Sequence, residues 1–382
     1  MSDPATPQNG STGHLRVALV CPYDLEVPGG VQTQVTGLAR ALSKAGEAVL
    51  VLAPGTGVPG RLTIPGVEVA TVGPSIRVPV NGSRAPVAPW PSAMRRGLRA
   101  LARFGPDVVH VHEPLVPGAS LAAALFGRGP LVATFHRAGP GLGYRIFARS
   151  AGALAIRRLD VVVAVSEEAR TTAAVVTGLE RDRIEVVTNG VELDATSSVP
   201  PIEASSPTVV FAGRHEPRKG LAVLLEAARL LPPTTRIWVI GAGPETAGLR
   251  ERFARDDRVE WLGALGDDER AARVAAGDVF VAPSLGGESF GVVLLEAMAV
   301  GTAVVASDLP GYRLAAGSAA DLVPPGEPGE LARAIEALLG DEHRRSELVA
   351  RGLERALECS MTAVASSYLS LYRSAVATAT GG

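Results

Sequence analysis

The feature that most constrains this chain is a set of apolar runs that do not alternate. Arg16–Cys21 (RVALVC), Ala48–Ala53 (AVLVLA), Asp107–His112 (DVVHVH), Leu131–Phe135 (LVATF) and Asp160–Val165 (DVVVAV) carry hydrophobic side chains at consecutive positions. A strand with one wet face alternates. A continuous run means burial on both faces, the condition of a parallel sheet covered by helices. Alanine-rich amphipathic stretches such as Val31–Lys44 separate the runs. The Pro- and Ser-rich segment Ser197–Pro207 (SSVPPIEASSP) reads as a linker. After it the pattern restarts, with Thr208–Ala212, Arg236–Ile240, Val259–Leu262, Val279–Ala282 and Ala303–Ala306. The expected fold is α/β: two doubly wound units facing a central cleft, with ligands at the carboxyl ends of strands. A length of 382 residues suits two domains. We place a disordered polar tail at 1–14, a first domain at 15–196 and a second at 208–361. A terminal segment, 362–382, should pack its helix, Thr362–Val376, back on the first domain.

Composition narrows the function classes. A net charge of -2 argues against a dedicated nucleic-acid binder. The cysteines, Cys21 and Cys359, lie far apart and form neither a metal spacing nor a disulfide framework. The polar N-terminus does not read as a signal peptide, and no apolar stretch is long enough to span a bilayer. A cytoplasmic protein is expected, peripheral on the inner face of the plasma membrane. Only Lys44 and Lys219 among the 37 basic residues are lysines, which singles out any lysine in a loop.

Four segments carry chemistry. Gly29-Gly30 stands between the first strand and a helix, where backbone can approach a phosphate or sugar; a plain turn is the alternative. There is no G-x-G-x-x-G, which disfavours a dinucleotide dehydrogenase. His110, His112 and His136 sit at strand ends. The first two share a face and can both be packed or hydrogen-bonded in the sheet, the reading favoured for His110, whereas His136 precedes a Gly/Pro loop and is expected to face the cleft. Arg214 and Lys219 lie in the strand-to-helix loop GRHEPRKG, a fork and a point charge suited to a diphosphate rather than a merely solvated loop. The most specific segment is Gly286–Gly291 (GGESFG) opening an apolar helix, with Ser289 expected as N-cap and Gly301 past the end. Glu288 precedes that helix and Glu296 lies within it. A carboxylate there is costly unless it binds something; a pair of salt-bridged structural glutamates is the alternative.

Together these residues resemble the family 4 retaining glycosyltransferases of the GT-B fold, two Rossmann-like domains about a cleft. The likeness runs from about Leu15 to the end. The segments CPYDLEVPGGVQ, VNGS (Val80–Ser83), HVHEP, ATFH, EPRKG and LGGESFGVVLLEAMAVGTAVVASDL resemble the actinobacterial phosphatidylinositol α-mannosyltransferase branch in particular. The resemblance implies a hexosyltransferase using GDP-mannose as co-substrate, with no tightly bound cofactor and no divalent metal. It implies that Gly30, Arg214, Lys219, Leu265, Asp267, Glu288, Phe290, Gly291, Val292 and Glu296 bind the donor. His136, Arg214, Lys219 and Glu288 would serve catalysis. Tyr23, Gln32, Asn81 and Arg84 would form the acceptor side, for phosphatidylinositol or a related lipid. Two departures bear on the acceptor. Arg137-Ala138-Gly139-Pro140 stands where similar enzymes carry Thr or Ser and a Lys, and GRHEPRKG is one residue shorter than its counterpart.

Pro91–Phe104 (PSAMRRGLRALARF) places Arg95, Arg96, Arg99 and Arg103 on one side at helical spacing. Such a helix can lie on an anionic membrane surface; a core-facing helix with a solvated arginine face is the alternative. No nucleic-acid partner is expected. Three other activities fit the same outline: a family 4 transferase with another lipid or soluble acceptor, a sugar-nucleotide epimerase, and a non-catalytic nucleotide-sugar-binding protein.

Overall fold

The computed structural model describes residues 13–27, 29–57, 63–80, 83–137, 139, 148, 152–193, 202, 204 and 206–381. The first sheet has seven strands in the order β3-β2-β1-β6-β7-β8-β9. They are β1 (Arg16–Val20), β2 (Ala48–Ala53), β3 (Glu68–Thr71), β6 (Val108–His112), β7 (Leu131–Phe135), β8 (Val161–Ala164) and β9 (Ile184–Val186). Between β3 and β6 the chain forms a separate antiparallel pair, β4 (Ile76–Val80) and β5 (Ser83–Val87). The second sheet has six strands in the order β12-β11-β10-β13-β14-β15. These are β10 (Thr208–Ala212), β11 (Arg236–Ile240), β12 (Val259–Gly263), β13 (Val279–Ala282), β14 (Ala303–Ser307) and β15 (Asp321–Val323). All its pairs are parallel.

The runs that lack alternation become the inner strands. Every residue of β6, β7, β13 and β14 is buried, as continuous apolar sequence demands. Helices cover both faces of the second sheet. One core gathers Val209, Leu224, Leu225, Ile237 and Ile335; the other gathers Phe280, Leu294, Leu295, Met298 and Tyr312.

Both sheets reverse strand order next to their first strand, at β1/β6 and at β10/β13. At such a switch point the loops after the two strands diverge to opposite faces and leave a crevice at their carboxyl ends. Segments singled out by sequence lie there: Pro22–Val27 and Gly29 after β1, Glu113 and Pro114 after β6, 213–220 after β10 and 286–291 after β13.

The chain divides into two compact units. One runs to Ala133 and adds Arg157–Asp160 and the chain from Tyr372 on; the other holds Thr134–Ile156 and Val161–Leu371. The last helix is longer than expected, Met361–Thr380. Its Tyr372 hydroxyl lies 2.6 Å from His110 Nδ1 and its Tyr368 hydroxyl 2.9 Å from Thr134 Oγ1. Its Arg373 reaches the buried carboxylate of Glu47 at 3.2 Å. Most of the expected linker lies outside the described residues, as does the tail up to residue 12. Among the described residues no helix is long and apolar enough to cross a membrane.

Candidate functional site

The loops after β10 and β13 are fastened to one another. Leu285 donates its backbone N–H to the Arg218 carbonyl at 2.7 Å. Gly220, at φ 69°, lies so close to Pro283 that an added Cβ would stand 1.9 Å from its carbonyl oxygen. Only glycine combines that conformation with that approach. The loop that carries Lys219 therefore rests directly on the end of β13.

Glu288 is the meeting point. Its Oε1 accepts from Lys219 Nζ at 2.7 Å, from Arg218 Nη1 at 3.0 Å and from Ser284 Oγ at 3.2 Å. The side chain is largely buried, 11% exposed, so these bonds act in a low dielectric and hold strongly. Arg214 and Arg218 share a second carboxylate, Glu216, at 3.0 and 3.2 Å. The structure thus sets the two expected diphosphate cations, Arg214 and Lys219, in ion pairs. Sequence missed Arg218, Glu216 and Ser284. Arg218 stands beside Lys219, and its pairing with Glu288 spans 70 positions, which no local pattern records.

The helix Val292–Ala299 starts at the N-cap Gly291, at φ 104°, with no side-chain cap. This corrects the expected Ser289 cap. An added Cβ at Gly291 would lie 2.5 Å from the Tyr312 ring, and only a left-handed glycine makes the bend. The first N–H groups of the helix lack partners within it, and its dipole favours an anion at Phe290–Val292. Gly301, at φ 77°, follows the helix as expected.

Glu296, one-third exposed on that helix, is 3.6 Å from Arg270 Nη2, which also meets Asp267 at 3.2 Å. Burial pushes its carboxyl above the usual range, and the Arg270 charge opposes that shift. Asp267 opens the helix Asp267–Ala275, and Leu265 precedes it, partly buried against the core. Arg270, absent from the sequence reading, joins the two expected donor-binding carboxylates. The alternative in which both glutamates are ion-paired is therefore what the chain itself displays at Glu288 and Glu296.

His215 faces the loop after β11. Its Nδ1 lies 2.8 Å from Thr246 Oγ1, and its ring packs between Phe211 and Trp261. His136 follows β7, partly buried, and burial pushes its imidazole down to about 4. It is neutral at physiological pH. His110 and His112 are buried with ring centroids 4.2 Å apart, the packed arrangement favoured from sequence for His110.

In the first unit Asp24 fastens the loop after β1. Its Oδ1 accepts from the Glu26 N–H at 3.0 Å and its Oδ2 from Ser75 Oγ at 2.6 Å. Tyr23 bridges to Val87 of β5. Gln32, expected on the acceptor side, donates its amide nitrogen to the carbonyls of Asp24 and Val27 at 3.3 and 3.0 Å. Its first duty here is to the loop. Gly30 opens the helix Gly30–Lys44 and is exposed. Arg84 lies in β5, opposite Pro79; Asn81 lies outside the described residues.

The helix Pro91–Phe104 has the expected bounds. Ala93, Gly97, Leu101 and Phe104 are buried, and Arg95, Arg96, Arg99 and Arg103 are exposed. The four differ in their partners. Arg96 Nε donates to the Val72 carbonyl at 2.6 Å, and Arg103 pairs with Glu68 at 2.9 Å. Arg95 and Arg99 have no partner among the described residues. Among those residues no group of three His, Cys, Asp or Glu is placed to hold a metal.

The chain matches Glycosyltransferase Family 4 over residues 28–195 and Glycosyl transferases group 1 over residues 206–341. It is 38% identical over 370 residues to the phosphatidyl-myo-inositol mannosyltransferase of Mycolicibacterium smegmatis, covering 94% of this chain and 93% of that one. It is 30% identical to the D-inositol 3-phosphate glycosyltransferase of Xylanimonas cellulosilytica, over 91% of this chain and 92% of that one. Among solved structures it resembles Anabaena HepE in complex with UDP and glucose, with a TM-score of 0.73 at 22% identity, covering 94% of this chain and all of the other. Sucrose-phosphate synthase from Thermosynechococcus elongatus gives a TM-score of 0.76 at 22% identity, covering 96% of this chain and all of the other. These two likenesses speak for the GT-B fold alone.

Proposed function

The chain belongs to glycosyltransferase family 4, and from that membership we propose that it moves mannose from GDP-mannose to an inositol hydroxyl of phosphatidylinositol, with retention of anomeric configuration. The observation that carries the reading is the likeness to the Mycolicibacterium smegmatis mannosyltransferase over 94% of this chain and 93% of that one. The geometry of the second unit supports it. Charge develops on the leaving diphosphate while the sugar becomes oxocarbenium-like, and stabilisers fixed before the reaction lower that barrier most. Arg214, Lys219 and the helix N-terminus at Phe290–Val292 are the groups for the diphosphate, and Gly30 is a further donor-binding residue of this reading. Glu288 takes the sugar hydroxyls, Glu296 the ribose, and Leu265 and Asp267 the region of the base. His136, neutral, stands by the transferred sugar. The cations of the protein take the charge, so the reading includes no divalent metal and no resident cofactor.

Retention through a covalent intermediate needs a carboxylate beneath the anomeric carbon. We assign none. In the front-face route the leaving phosphate accepts the acceptor proton, and no side chain is needed as general base. Tyr23, Asn81 and Arg84 form the acceptor side, with Gln32 holding the loop, and the arginine face of Pro91–Phe104 brings the chain to anionic lipid. The likeness to an inositol-phosphate glycosyltransferase favours a second reading, the same chemistry on a soluble inositol.

Radiolabelled GDP-mannose, presented with phosphatidylinositol vesicles and separately with inositol phosphate, decides between them. Label in the lipid extract with an α-anomeric signal supports the proposal. Label in the aqueous product alone supports the soluble acceptor. A free epimerised sugar nucleotide, or binding without turnover, removes both.

A further inference from the structure

The helix Pro310–Ala316 has no part in the proposed chemistry, yet it presses on the features that do. Its Gly311 lies against the backbone of Glu288 and Ser289: an added Cβ would stand 2.3 Å from the Glu288 carbonyl oxygen. The next residue, Tyr312, is buried, and its ring lies against Gly291, the hinge that opens Val292–Ala299. Its hydroxyl is 2.8 Å from Ser284 Oγ, which is 3.2 Å from Glu288 Oε1.

Proton inventory gives this chain a direction. A carboxylate only accepts, so Ser284 spends its single proton on Glu288 and must accept from Tyr312. Burial and the neighbouring Glu288 charge push the Tyr312 phenol above its ordinary range, so it keeps the proton it donates. Each bond polarises the next, and the far end of the relay is the oxygen that also receives Lys219 and Arg218.

We infer that Tyr312 is a positioning residue of the donor site: through Ser284 its hydroxyl fixes the Glu288 carboxylate on Lys219, while its ring supports the glycine hinge. The inference deepens the donor-site reading and rests on it for the catalytic consequence. The coupling itself is readable without substrate, because the chain has two lysines, Lys44 and Lys219.

Full-length protein labelled with 13Cε-lysine gives two side-chain methylene signals, and Lys44→Arg, at the exposed end of the helix Gly30–Lys44, assigns them. Tyr312→Phe keeps the ring against Gly291 and removes only the donor. Ser284→Ala breaks the relay from the other end and keeps Tyr312 whole. Each substitution should move the Lys219 signal and leave Lys44 in place. In GDP-mannose turnover, Tyr312→Phe should lower kcat/KM about tenfold, the equivalent of one buried hydrogen bond. GDP affinity should not fall, since GDP lacks the sugar that Glu288 holds and a looser Glu288 leaves Lys219 freer for the diphosphate. In a Glu288→Gln background the Tyr312→Phe effect should largely vanish, the non-additivity of residues acting in one chain. An unmoved Lys219 signal in folded Tyr312→Phe and Ser284→Ala overturns the proposal. So do effects that add fully to Glu288→Gln. If wild type fails to turn over GDP-mannose, the donor reading falls, and the lysine signal still decides on Tyr312.

Discussion

Lys219 already has an anion, the Glu288 carboxylate at 2.7 Å, and an arriving diphosphate must share or take it. Arg214 is more exposed, with 65% of its side chain open to water, and is held by Glu216. Lys219→Ala should therefore weaken GDP binding by about 1.5–3 kcal/mol, the range for a charge-assisted contact to a desolvated anion. Arg214→Ala should cost less, about 1 kcal/mol, because water screens it. Isothermal titration measures both, and wild-type affinity in the two variants would remove their diphosphate role. Glu288, expected from sequence to bind a ligand, also has three contacts within the chain. His136 yields a prediction in pH. Its imidazole is lowered from 6.5 to about 4, so the unfolded chain binds this proton more readily than the folded one. That contribution to stability is present above the unfolded value and is lost as pH falls from about 6.5 toward 4. Between pH 7 and pH 5 it amounts to about 1 kcal/mol once partial exposure to water is allowed for. Chemical denaturation of wild type and His136→Gln at the two pH values should show a shallower loss in the variant; parallel losses would mean the ring titrates normally.

Elements differed in how openly the sequence declares them. Strands covered on both faces are continuous in sequence, and β2, β7, β10, β11 and β13 have the bounds their apolar runs predict. The strands missed lie at edges or outside the main sheets. β3 is only partly buried, and β9 and β15 are short edge strands. An edge strand needs no double-sided apolar run, so its sequence lacks that sign. The β4–β5 pair flanks Asn81-Gly82, a dipeptide typical of hairpins, which was read only as part of a family segment. At the site the glycines and charged loop ends were legible because they are local. Ser284, Tyr312, Arg218 and Arg270 were not, because their partners come from separate strands' loops. The last helix shows the same rule: its place follows from the sequence, but it runs past the expected end to Thr380, and its hydrogen bonds to His110 and Thr134 span 262 and 234 positions. Tyr372→Phe and Tyr368→Phe each remove one buried hydroxyl contact and should cost about 1–2 kcal/mol in thermal or urea unfolding. Unchanged stability in both would show that packing alone holds this helix.

On the scale of the molecule, a net charge of -2 gives no general attraction to an anionic membrane, so the proposed recruitment rests on a local patch. The helix Pro91–Phe104 supplies four arginines, but they are not equivalent. Arg96 and Arg103 are occupied by the Val72 carbonyl and Glu68, whereas Arg95 and Arg99 have no partner among the described residues. Near an anionic surface each free basic residue contributes ~1 kcal/mol. Replacing all four by Ser should remove up to ~4 kcal/mol, less after salt screening. Arg95→Ser with Arg99→Ser should account for ~2 kcal/mol of it, half of that upper bound, or more of the actual loss where Arg96 and Arg103 stay paired. The complementary pair, Arg96→Ser with Arg103→Ser, should act more on the stability of the first unit. Flotation with vesicles containing phosphatidylinositol separates these cases. GDP affinity should survive every variant, because the loops after β10 and β13 belong to the other compact unit. Wild type in high salt should reproduce the four-arginine loss, since screened charges attract no surface. Wild type that never floats, with the four-arginine variant as active as wild type, would discard the phospholipid acceptor and leave a family 4 glycosyltransferase acting on a soluble one.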